Sequence, residues 1–359
     1  MGKKIIYKNV KIGTDITDIT VENGLIASLE QVSGNGIDLK GVEIRAGLID
    51  IHTHGCIGYD ITNNYGCLEK ISIYQASKGI TAWYPTTSTE SLEKMRRITN
   101  QNISGLKGAK VMGFHLEGPF ISDKKLGAMN KEYVRKPDIK DLEGFKNVKL
   151  INLAPETEGA MDFIKNCGVT ISLGHTVCDY DTAVRAAESG AKCVTHIFNA
   201  MPPLHHRQPA LVGAAFDKNL YVQVICDGIH IHPAVIRMLY SLFGKDRMIL
   251  ISDSVAPAGA PDGEYIFGGL PTVVKNSIAR TKGGALAGST ANLFYCVQQA
   301  VKFGIPKDDA FAMASATPAA LMGIKSGNLK VGYAADFIGI DRNMNLKFTV
   351  VCGKMVYSI

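Results

Sequence analysis

The chain has 359 residues, of which 46% are hydrophobic and 20% are charged, and its formal net charge at pH 7 is +6. These values are typical of a folded globular protein and exclude a disordered or fibrous chain. No apolar run reaches the roughly 18 residues that a membrane span requires, so no membrane partner is expected. Lysine and arginine are scattered rather than gathered in a basic stripe, which argues against nucleic-acid binding. A small anionic substrate is compatible with the mild positive charge.

The amino-terminal residues lead directly into a polar strand pattern and lack the long apolar region of a signal peptide. The eight cysteines have no CxxC spacing, and several lie within apolar strand patterns. Reduced and mostly buried thiols are therefore a better prediction than a disulfide framework. We accordingly expect a cytoplasmic protein.

Strand patterns occupy both ends of the chain. Near the beginning, Asn23-Gly24 supplies the residue pair that a tight hairpin turn needs. We expect the two ends to pair into one small β-sandwich domain made of residues 1–46 and 335–359, because each end then covers the apolar face of the other. The strands of this domain are predicted at residues 5–10, 16–22, 25–29, 335–340, 346–351 and 354–357.

Between the two ends, eight apolar segments predict buried parallel strands. Most are separated by segments compatible with helices, such as residues 179–189 and 233–243. Eight strands with crossover helices favour an α/β fold of the (β/α)8 TIM-barrel type, here spanning residues 47–334, over an open sheet. One further helix is predicted over residues 308–322. The eight strands are predicted at residues 47–51, 79–84, 110–116, 148–153, 168–173, 192–195, 220–225 and 247–251.

Histidine and carboxylate residues recur at the carboxyl ends of these strands, where such barrels place their active sites. The first strand ends in His52-Thr-His54, whose alternation directs both imidazoles to one side. Later strands contribute Glu117, His175, His196, His230 and Asp253. Isolated histidines in strands are common, and Asp253 alone could cap a helix. The recurrence of histidine and carboxylate residues at one face of the barrel nevertheless favours a metal site. His205 and His206 are expected to diverge in a solvated loop.

Six motifs make the sequence similar to a known family. They are His52-Thr-His54, His115-Leu-Glu117-Gly-Pro-Phe120, Gly174-His175-Thr176, Thr195-His196-Ile-Phe-Asn199-Ala-Met-Pro202, Asp227-Gly-Ile-His230 and Ser252-Asp253. Together they resemble the N-acetylglucosamine-6-phosphate deacetylases of the amidohydrolase superfamily, and the resemblance covers nearly the full chain. The combination of LEGPF with HIFNAMP is specific, whereas HxH alone occurs in many amidohydrolases.

The resemblance implies a metal-dependent hydrolase that removes the acetyl group from N-acetylglucosamine 6-phosphate. It also implies a homodimer and one or two divalent ions per chain, of Zn, Fe, Mn or Co. The metal ligands it implies are Glu117, His175 and His196 for the main ion, His52 and His54 for a second ion, and Asp253, which is also the general acid and base. The contacts it implies with the sugar phosphate are Ala128, Asn199, Ala200, Arg207, His230, Leu286, Ala287 and Gly288, with Arg207 supplying charge for the phosphate.

One position departs from the pattern of the family. Many members carry, where this chain has Met129, a histidine that polarises the substrate carbonyl. Methionine cannot donate that hydrogen bond. Because the chain keeps His52 and His54, we expect a second ion to take over this role.

Two alternative functions stay open. One is another amidohydrolase, acting on an acylated amino acid or a cyclic amide. Many two-ion members use a modified lysine at the end of the fourth strand, and residues 152–156 contain none. The other alternative is a non-catalytic sugar-phosphate-binding protein, against which the retention of Asp253 with the full set of ligands argues. The sequence does not separate glucosamine from galactosamine stereochemistry.

Overall fold

The structure is a computed structural model that describes residues 4–359, so the first three residues of the predicted domain 1–46 lie outside it. The strands are β1 (Lys4–Ile12), β2 (Asp15–Glu22), β3 (Leu25–Ser28), β4 (Ile37–Asp38), β5 (Glu43–Ala46), β6 (Leu48–Thr53), β7 (Gly55–Cys56), β8 (Tyr59–Asp60), β9 (Ile80–Thr87), β10 (Lys110–Val111), β11 (Phe114–Glu117), β12 (Val148–Leu153), β13 (Thr170–Leu173), β14 (Cys193–Val194), β15 (Tyr221–Ile225), β16 (Met248–Ile251), β17 (Gly263–Phe267), β18 (Leu270–Lys275), β19 (Ile278–Thr281), β20 (Phe337–Ile340), β21 (Leu346–Val351) and β22 (Lys354–Ser358).

The helices follow the barrel strands or cover the barrel from outside. They are α1 (Leu68–Ser77), α2 (Leu92–Thr99), α3 (Ala160–Asn166), α4 (Tyr180–Ser189), α5 (Ala210–Asp217), α6 (Pro233–Arg247), α7 (Leu293–Lys302), α8 (Lys307–Met313) and α9 (Ala316–Met322). Two of them match the helices expected near residues 179–189 and 233–243. Helix α4 begins after Asp179, whose side chain accepts a hydrogen bond from the Thr182 amide, as an N-cap does. Helix α6 loses its helical backbone at Gly244.

The two ends of the chain form one sheet, with the strand order β22-β21-β20-β5-β1-β2-β3 and β4 beside β1. Antiparallel pairing of Ala46 with Phe337 joins the two ends. Asn23 and Gly24 both have positive φ, 53° and 79°, as the predicted hairpin turn requires. Buried side chains from both ends, among them Tyr7 and Phe337, share one core. The small β domain built from both ends is thereby confirmed, while its boundaries at residues 46 and 335 stay predictions.

The predicted barrel is also confirmed. Its parallel strands follow the order β9-β11-β12-β13-β14-β15-β16, with β6 paired to β9. Strands β10 and β11 are two parts of the predicted third strand, which is interrupted at Gly113, where φ is 142°. A parallel bridge between Thr53 and Ser254 brings the first strand beside the end of the eighth. Closure of the barrel therefore places residues about two hundred positions apart in the chain against each other.

The prediction of one helix over residues 308–322 is wrong, because the structure has two helices, α8 and α9. Ser315 between them has φ −140° and ψ −74°, which is not helical. Pro318 gives the reason: in one continuous helix its missing N–H would leave the Ala314 carbonyl unpaired. In the first turn of α9 the missing donor costs nothing, because no intrahelical partner exists there.

A three-stranded antiparallel sheet of β17, β18 and β19 follows the eighth barrel strand, and the sequence analysis did not anticipate it. It brings Phe267 to the mouth of the barrel, where the ring packs edge-on against His54 with centroids 4.9 Å apart. All eight cysteines are free thiols, six of them buried, as expected. Within residues 4–359, no helix combines the length and apolar character needed to cross a membrane.

Candidate functional site

The carboxyl ends of the barrel strands bring five predicted metal ligands together. They are His52 and His54 at the end of β6, Glu117 at the end of β11, His175 after β13 and His196 after β14. All five are buried, with relative exposures of 4% or less. They divide into two clusters that share Glu117, and in each cluster the ligand atoms lie within 4.8 Å of one another.

The first cluster consists of Glu117, His175 and His196. Oε1 of Glu117 lies 2.9 Å from Nε2 of His196 and 3.2 Å from Nε2 of His175. The two Nε2 atoms are 3.1 Å apart. Nδ1 of His175 donates a hydrogen bond of 2.9 Å to the Lys125 carbonyl, so the neutral ring directs the Nε2 lone pair towards Glu117.

The second cluster consists of His52, His54 and the same carboxylate. Nε2 of His54 lies 2.8 Å from Oε2 of Glu117, and Nε2 of His52 lies 3.4 Å from Oε1. The two Nε2 atoms are 3.2 Å apart. Nδ1 of His52 contacts Oε1 of Gln223 at 3.0 Å. Glu117 is therefore shared by the two clusters: Oε1 contacts His175, His196 and His52, and Oε2 contacts His54.

The arrangement fits divalent metal ions. Lone pairs of nitrogen and oxygen converge at distances where acceptors repel each other unless a proton or cation lies between them. Imidazole and carboxylate are ligands that borderline metals such as Zn²⁺ prefer. Holding Nδ1 of His175 by a carbonyl and Nδ1 of His52 by an amide oxygen is typical of metal-binding histidines. The residues present thus suit one ion per cluster.

The pKa directions in this cluster match a buried carboxylate among cationic or donating groups. Burial raises the pKa of Glu117, but the charge of His52, followed by the close contacts with the His175 and His196 rings, holds it well below its usual range. Burial lowers the pKa of His52, but the charges of Glu117 and Asp253 raise it to about 9. Glu117 is therefore ionised at neutral pH and supplies negative charge to both clusters.

The backbone is strained where the ligands lie. His175, His196 and Asp253 have φ of 48°, 26° and 46°, a left-handed conformation that costs energy for residues other than glycine. Gly127 faces the same point, because a Cβ added there would lie 3.1 Å from Cε1 of His175. The loops after the strands therefore hold these side chains at the site at a cost in backbone energy.

Asp253 lies after β16 with its carboxylate between the second cluster and a cavity. Its Oδ1 is 3.4 Å from Nε2 of His52 and 3.5 Å from Nε2 of His54, and its side chain is 10% exposed. Within residues 4–359 this oxygen makes no hydrogen bond. The main chain is fixed on both sides, since the Asp253 amide donates to the His52 carbonyl and its carbonyl accepts from the Ser289 amide.

A cavity of about 330 Å³ opens above the clusters. Besides Glu117, His175, His196 and Asp253, its walls include six of the predicted substrate contacts. These are Ala128, Asn199, Ala200, His230, Leu286 and Gly288. Ala287 is fully buried beside them. A Cβ at Gly288 would lie 2.5 Å from Val255 and 2.9 Å from the Asp253 carbonyl, so glycine allows this wall to approach Asp253 closely.

Asp227 and His230 form a buried ion pair at the wall of this cavity. Oδ2 of Asp227 lies 2.7 Å from Nδ1 of His230, and Oδ1 accepts the amides of Ile229 and His230. Burial lowers the pKa of His230, but the hydrogen bond and charge of Asp227 raise it above its ordinary value. Asp227 therefore favours the protonated form of His230 at the wall of the cavity.

Arg207 does not line this cavity. It lies in an exposed loop, with Nη1 2.7 Å from Nε2 of His206, and faces a separate surface cavity of about 770 Å³. His205 and His206 are exposed, as expected. The expectation that their side chains diverge is wrong, because the two rings pack with centroids 4.2 Å apart. The turn at this loop brings consecutive side chains to one side.

Met129 lies in the cavity wall and is 4% exposed. Its sulfur accepts a hydrogen bond of 3.4 Å from the Thr89 amide, and the Thr89 hydroxyl donates to the Glu117 carbonyl at 3.0 Å. The thioether thus ties its loop to the strand end that carries Glu117. It offers no polar hydrogen to a ligand in the cavity.

Sequence reasoning missed three residues around the site. Gln223 interrupts the apolar pattern of the seventh strand, and that polar residue was the available signal. Asp227 belongs to a motif that was recognised, but no role was predicted for it. Phe267 gave no signal, because the sheet that carries it was not anticipated.

Comparisons with known proteins agree with this geometry. Residues 44–356 match the amidohydrolase family. The chain is 34% identical over 357 residues to N-acetylglucosamine-6-phosphate deacetylase of Vibrio furnissii, covering 94% of this chain and 89% of that protein. It is 31% identical over 358 residues to N-acetylgalactosamine-6-phosphate deacetylase of Escherichia coli O157:H7, covering 95% of each.

Solved structures of similar proteins have the same fold. N-acetylglucosamine-6-phosphate deacetylase from Thermotoga maritima has a TM-score of 0.91 at 27% identity, covering 99% of this chain and 100% of that one. A mutant of the Mycobacterium smegmatis enzyme, in complex with N-acetyl-D-glucosamine-6-phosphate, has a TM-score of 0.90 at 27% identity with the same coverage.

Proposed function

We propose, because the chain belongs to the amidohydrolase family, that it is a metal-dependent hydrolase that removes the acetyl group from N-acetylglucosamine 6-phosphate, giving glucosamine 6-phosphate and acetate. The observation that carries the proposal is the shared carboxylate of Glu117 between two histidine clusters, with the free oxygen of Asp253 beside them. The names of the relatives from Vibrio furnissii and Thermotoga maritima support the reaction.

Glu117, His175 and His196 would hold a main divalent ion, of Zn, Fe, Mn or Co, and His52, His54 and Glu117 a second. Such ions lower the pKa of a water molecule from about 16 towards neutrality and polarise a carbonyl group. We infer that two ions are needed here, because Met129 stands where a hydrogen-bond donor would otherwise polarise the acetyl carbonyl.

Asp253 acts as general base and then as general acid. Its Oδ1 accepts the proton of the attacking water as the C–O bond to the acetyl carbon forms. It returns that proton to the amide nitrogen as the C–N bond breaks, because the amine is too basic to leave as an anion. The burial of the carboxylate in the strained turn after β16 keeps it at one position through both transfers.

The phosphate of the substrate would be held at the wall of the cavity by His230, whose protonated form Asp227 favours by raising its pKa. Asn199, Ala200 and the backbone from Leu286 to Gly288 would contact the sugar. These contacts are remote from the acetyl group and serve to orient it. Arg207 would bind the phosphate with its fork of donors.

Arg207 lines a separate surface cavity and not the cavity above the clusters, so this role requires a second copy of the chain or a movement of the loop. We propose a homodimer in which the loop of each chain reaches the cavity of the other. We also propose that the protein works in the cytoplasm, because eight unpaired thiols suit a reducing compartment.

The experiment is to measure acetate release together with bound metal for each substrate class. N-acetylglucosamine 6-phosphate is expected to be hydrolysed at least as well as N-acetylgalactosamine 6-phosphate, the second candidate, which the Escherichia coli relative favours. Faster hydrolysis of an N-acetylated amino acid or a cyclic amide would indicate a different amidohydrolase that acts on that class of substrate. Tight binding of the sugar phosphate without any acetate release would point to a binding protein instead.

A further inference from the structure

Gln223 lies on β15, in the interior of the barrel, with no exposed surface. Its Oε1 is 3.0 Å from Nδ1 of His52. An amide oxygen is an acceptor, so the nitrogen that faces it carries the hydrogen. The contact therefore fixes the His52 ring so that Nδ1 keeps its hydrogen and Nε2, once it gives up its proton to a cation, directs its lone pair at the space between Glu117 and His54.

Packing does not account for a glutamine at this position. Ile225, two residues further along the strand and therefore on the same face, is fully buried and apolar. Within residues 4–359, Nε2 of Gln223 has no hydrogen-bond partner, so the side chain leaves a buried donor unsatisfied. A valine or leucine would avoid that cost. The contact with His52 is an interaction that glutamine makes and that valine or leucine could not make.

The main chain of Gln223 is also connected to the other cluster. Its carbonyl accepts a hydrogen bond of 2.9 Å from the amide of Ile197, the residue that follows His196. That bond uses the backbone, which every side chain at position 223 would keep. A change of the side chain therefore acts on His52 while the support of His196 stays in place.

We propose that Gln223 is a positioning residue that sets the affinity of the second cation site, formed by His52, His54 and Glu117. The inference rests on the proposed function, because it concerns one of the two metal sites proposed above. It separates the two sites, because the Lys125 carbonyl orients His175 in the first site, whereas the Gln223 amide oxygen contacts His52 in the second. Loss of the Gln223 amide oxygen should weaken the second site alone.

The test compares Gln223→Leu, Gln223→Glu and the matched control Gln298→Leu. Gln298 lies on α7, where its amide donates to the Met344 carbonyl, remote from the clusters. Each full-length protein is stripped of metal and titrated with Co²⁺, with stoichiometry and affinity followed by calorimetry and by the visible absorption of the bound ion. Ligand-orienting partners of this kind typically contribute about 10–100-fold in metal affinity.

The expected result is two ions in the wild type and in Gln298→Leu, with the second binding step about 10–100-fold weaker in Gln223→Leu and the first changed less than about threefold. Gln223→Glu keeps an acceptor oxygen and should retain the second step, which also covers the case in which Gln223→Leu fails to fold. Loss of the second ion from Gln223→Glu would contradict the inference.

The titration distinguishes failure of the proposed role of Gln223 from failure of the proposed two-ion site. Two ions of unchanged affinity in Gln223→Leu would overturn the role of Gln223 and leave the proposed function intact. A wild type that binds fewer than two ions would overturn the two-ion part of the proposed function and this inference with it. A Gln223→Leu variant weakened equally at both steps would also overturn the inference, because a general structural role predicts that outcome.

Discussion

His175 and His196 hold their Nε2 atoms 3.1 Å apart, and both atoms face the same oxygen of Glu117. Nδ1 of His175 donates to the Lys125 carbonyl, so a neutral His175 ring presents the lone pair of Nε2 to both groups. A buried site of this kind is unfavourable unless a positive charge fills it. The relationship therefore leads directly to predictions about metal.

Removal of metal with a chelator should abolish acetate release and lower the melting temperature, and reloading with a divalent metal to two ions per chain should restore both. An ion that binds only the folded chain stabilises it by about 2.7 kcal/mol at a free concentration 100 times its Kd. Calorimetry with and without metal, beside the acetate assay, measures the two effects. Full turnover in protein shown to be metal-free would contradict the proposed function.

Asp253→Asn should reduce kcat by roughly 10²–10⁴-fold, because the amide cannot accept the proton of the attacking water. Metal content should remain close to the wild-type value, since Glu117 and the histidines form both clusters. Acetate release and metal analysis of the same preparation test this. Asp246→Asn, at an exposed carboxylate, is the control. Near-normal turnover in Asp253→Asn would remove the acid–base role from this residue.

Asp227→Asn should raise KM for the phosphorylated substrate by roughly 10–100-fold with a smaller change in kcat, because a hydrogen bond to a charged group contributes about 1.5–3 kcal/mol. The pKa of His230 is raised above 6.5 by Asp227, so His230 loses its charge more readily in the variant. The rise in KM with increasing pH should then begin at a lower pH than in the wild type. Identical pH profiles of KM would contradict the charge-holding role.

The same pair predicts a pH window for folding stability. The pKa of His230 is raised in the folded chain, so its contribution is complete below 6.5 and is lost as pH rises through the folded value. Burial raises the pKa of Asp227, but the hydrogen bond and charge of His230 lower it below 3.8, so its contribution is lost as pH falls through the folded value. Urea unfolding of wild type and Asp227→Asn across pH should show a difference that is largest between these limits.

A preparation with one ion per chain should lose most of its turnover, because Met129 cannot polarise the acetyl carbonyl. Introducing Met129→His into a chain that carries His52→Asn and His54→Asn should recover part of it, since the imidazole supplies a donor. The comparison uses kcat at equal metal content. Full turnover of the wild-type chain with a single ion would show that the hypothesis about Met129 is wrong.

Arg207→Ala should raise KM roughly 10–100-fold and leave kcat within a few-fold, as expected for a charge-assisted contact remote from the acetyl group. Arg207→Lys keeps the charge but loses the fork of donors, so an intermediate KM is expected. Arg185→Ala, at an exposed arginine on α4, is the control. An unchanged KM in Arg207→Ala would mean that Arg207 does not bind the phosphate of the substrate.

Much of the site followed from local pattern. Apolar runs predicted the eight barrel strands, and polar residues just beyond them identified His52, His54, Glu117, His175 and His196. The physical reason is that a buried parallel strand must be apolar along its length, so a carboxylate or imidazole at its end stands out. The pairing of both chain ends was also readable, because each end alone would expose an apolar face.

The amino-acid sequence by itself therefore determined which residues stand at the strand ends. Hydrophobic periodicity and the residues that end a strand act over only a few positions, so they can be read locally. Only the tertiary structure decided which of them meet. Closure of the barrel places Asp253 against His52, and strand order brings Gln223 to the same imidazole, over separations that no local pattern encodes. The placement of Arg207 at a separate surface cavity and the position of Phe267 depend on loop packing, which is set by the whole fold.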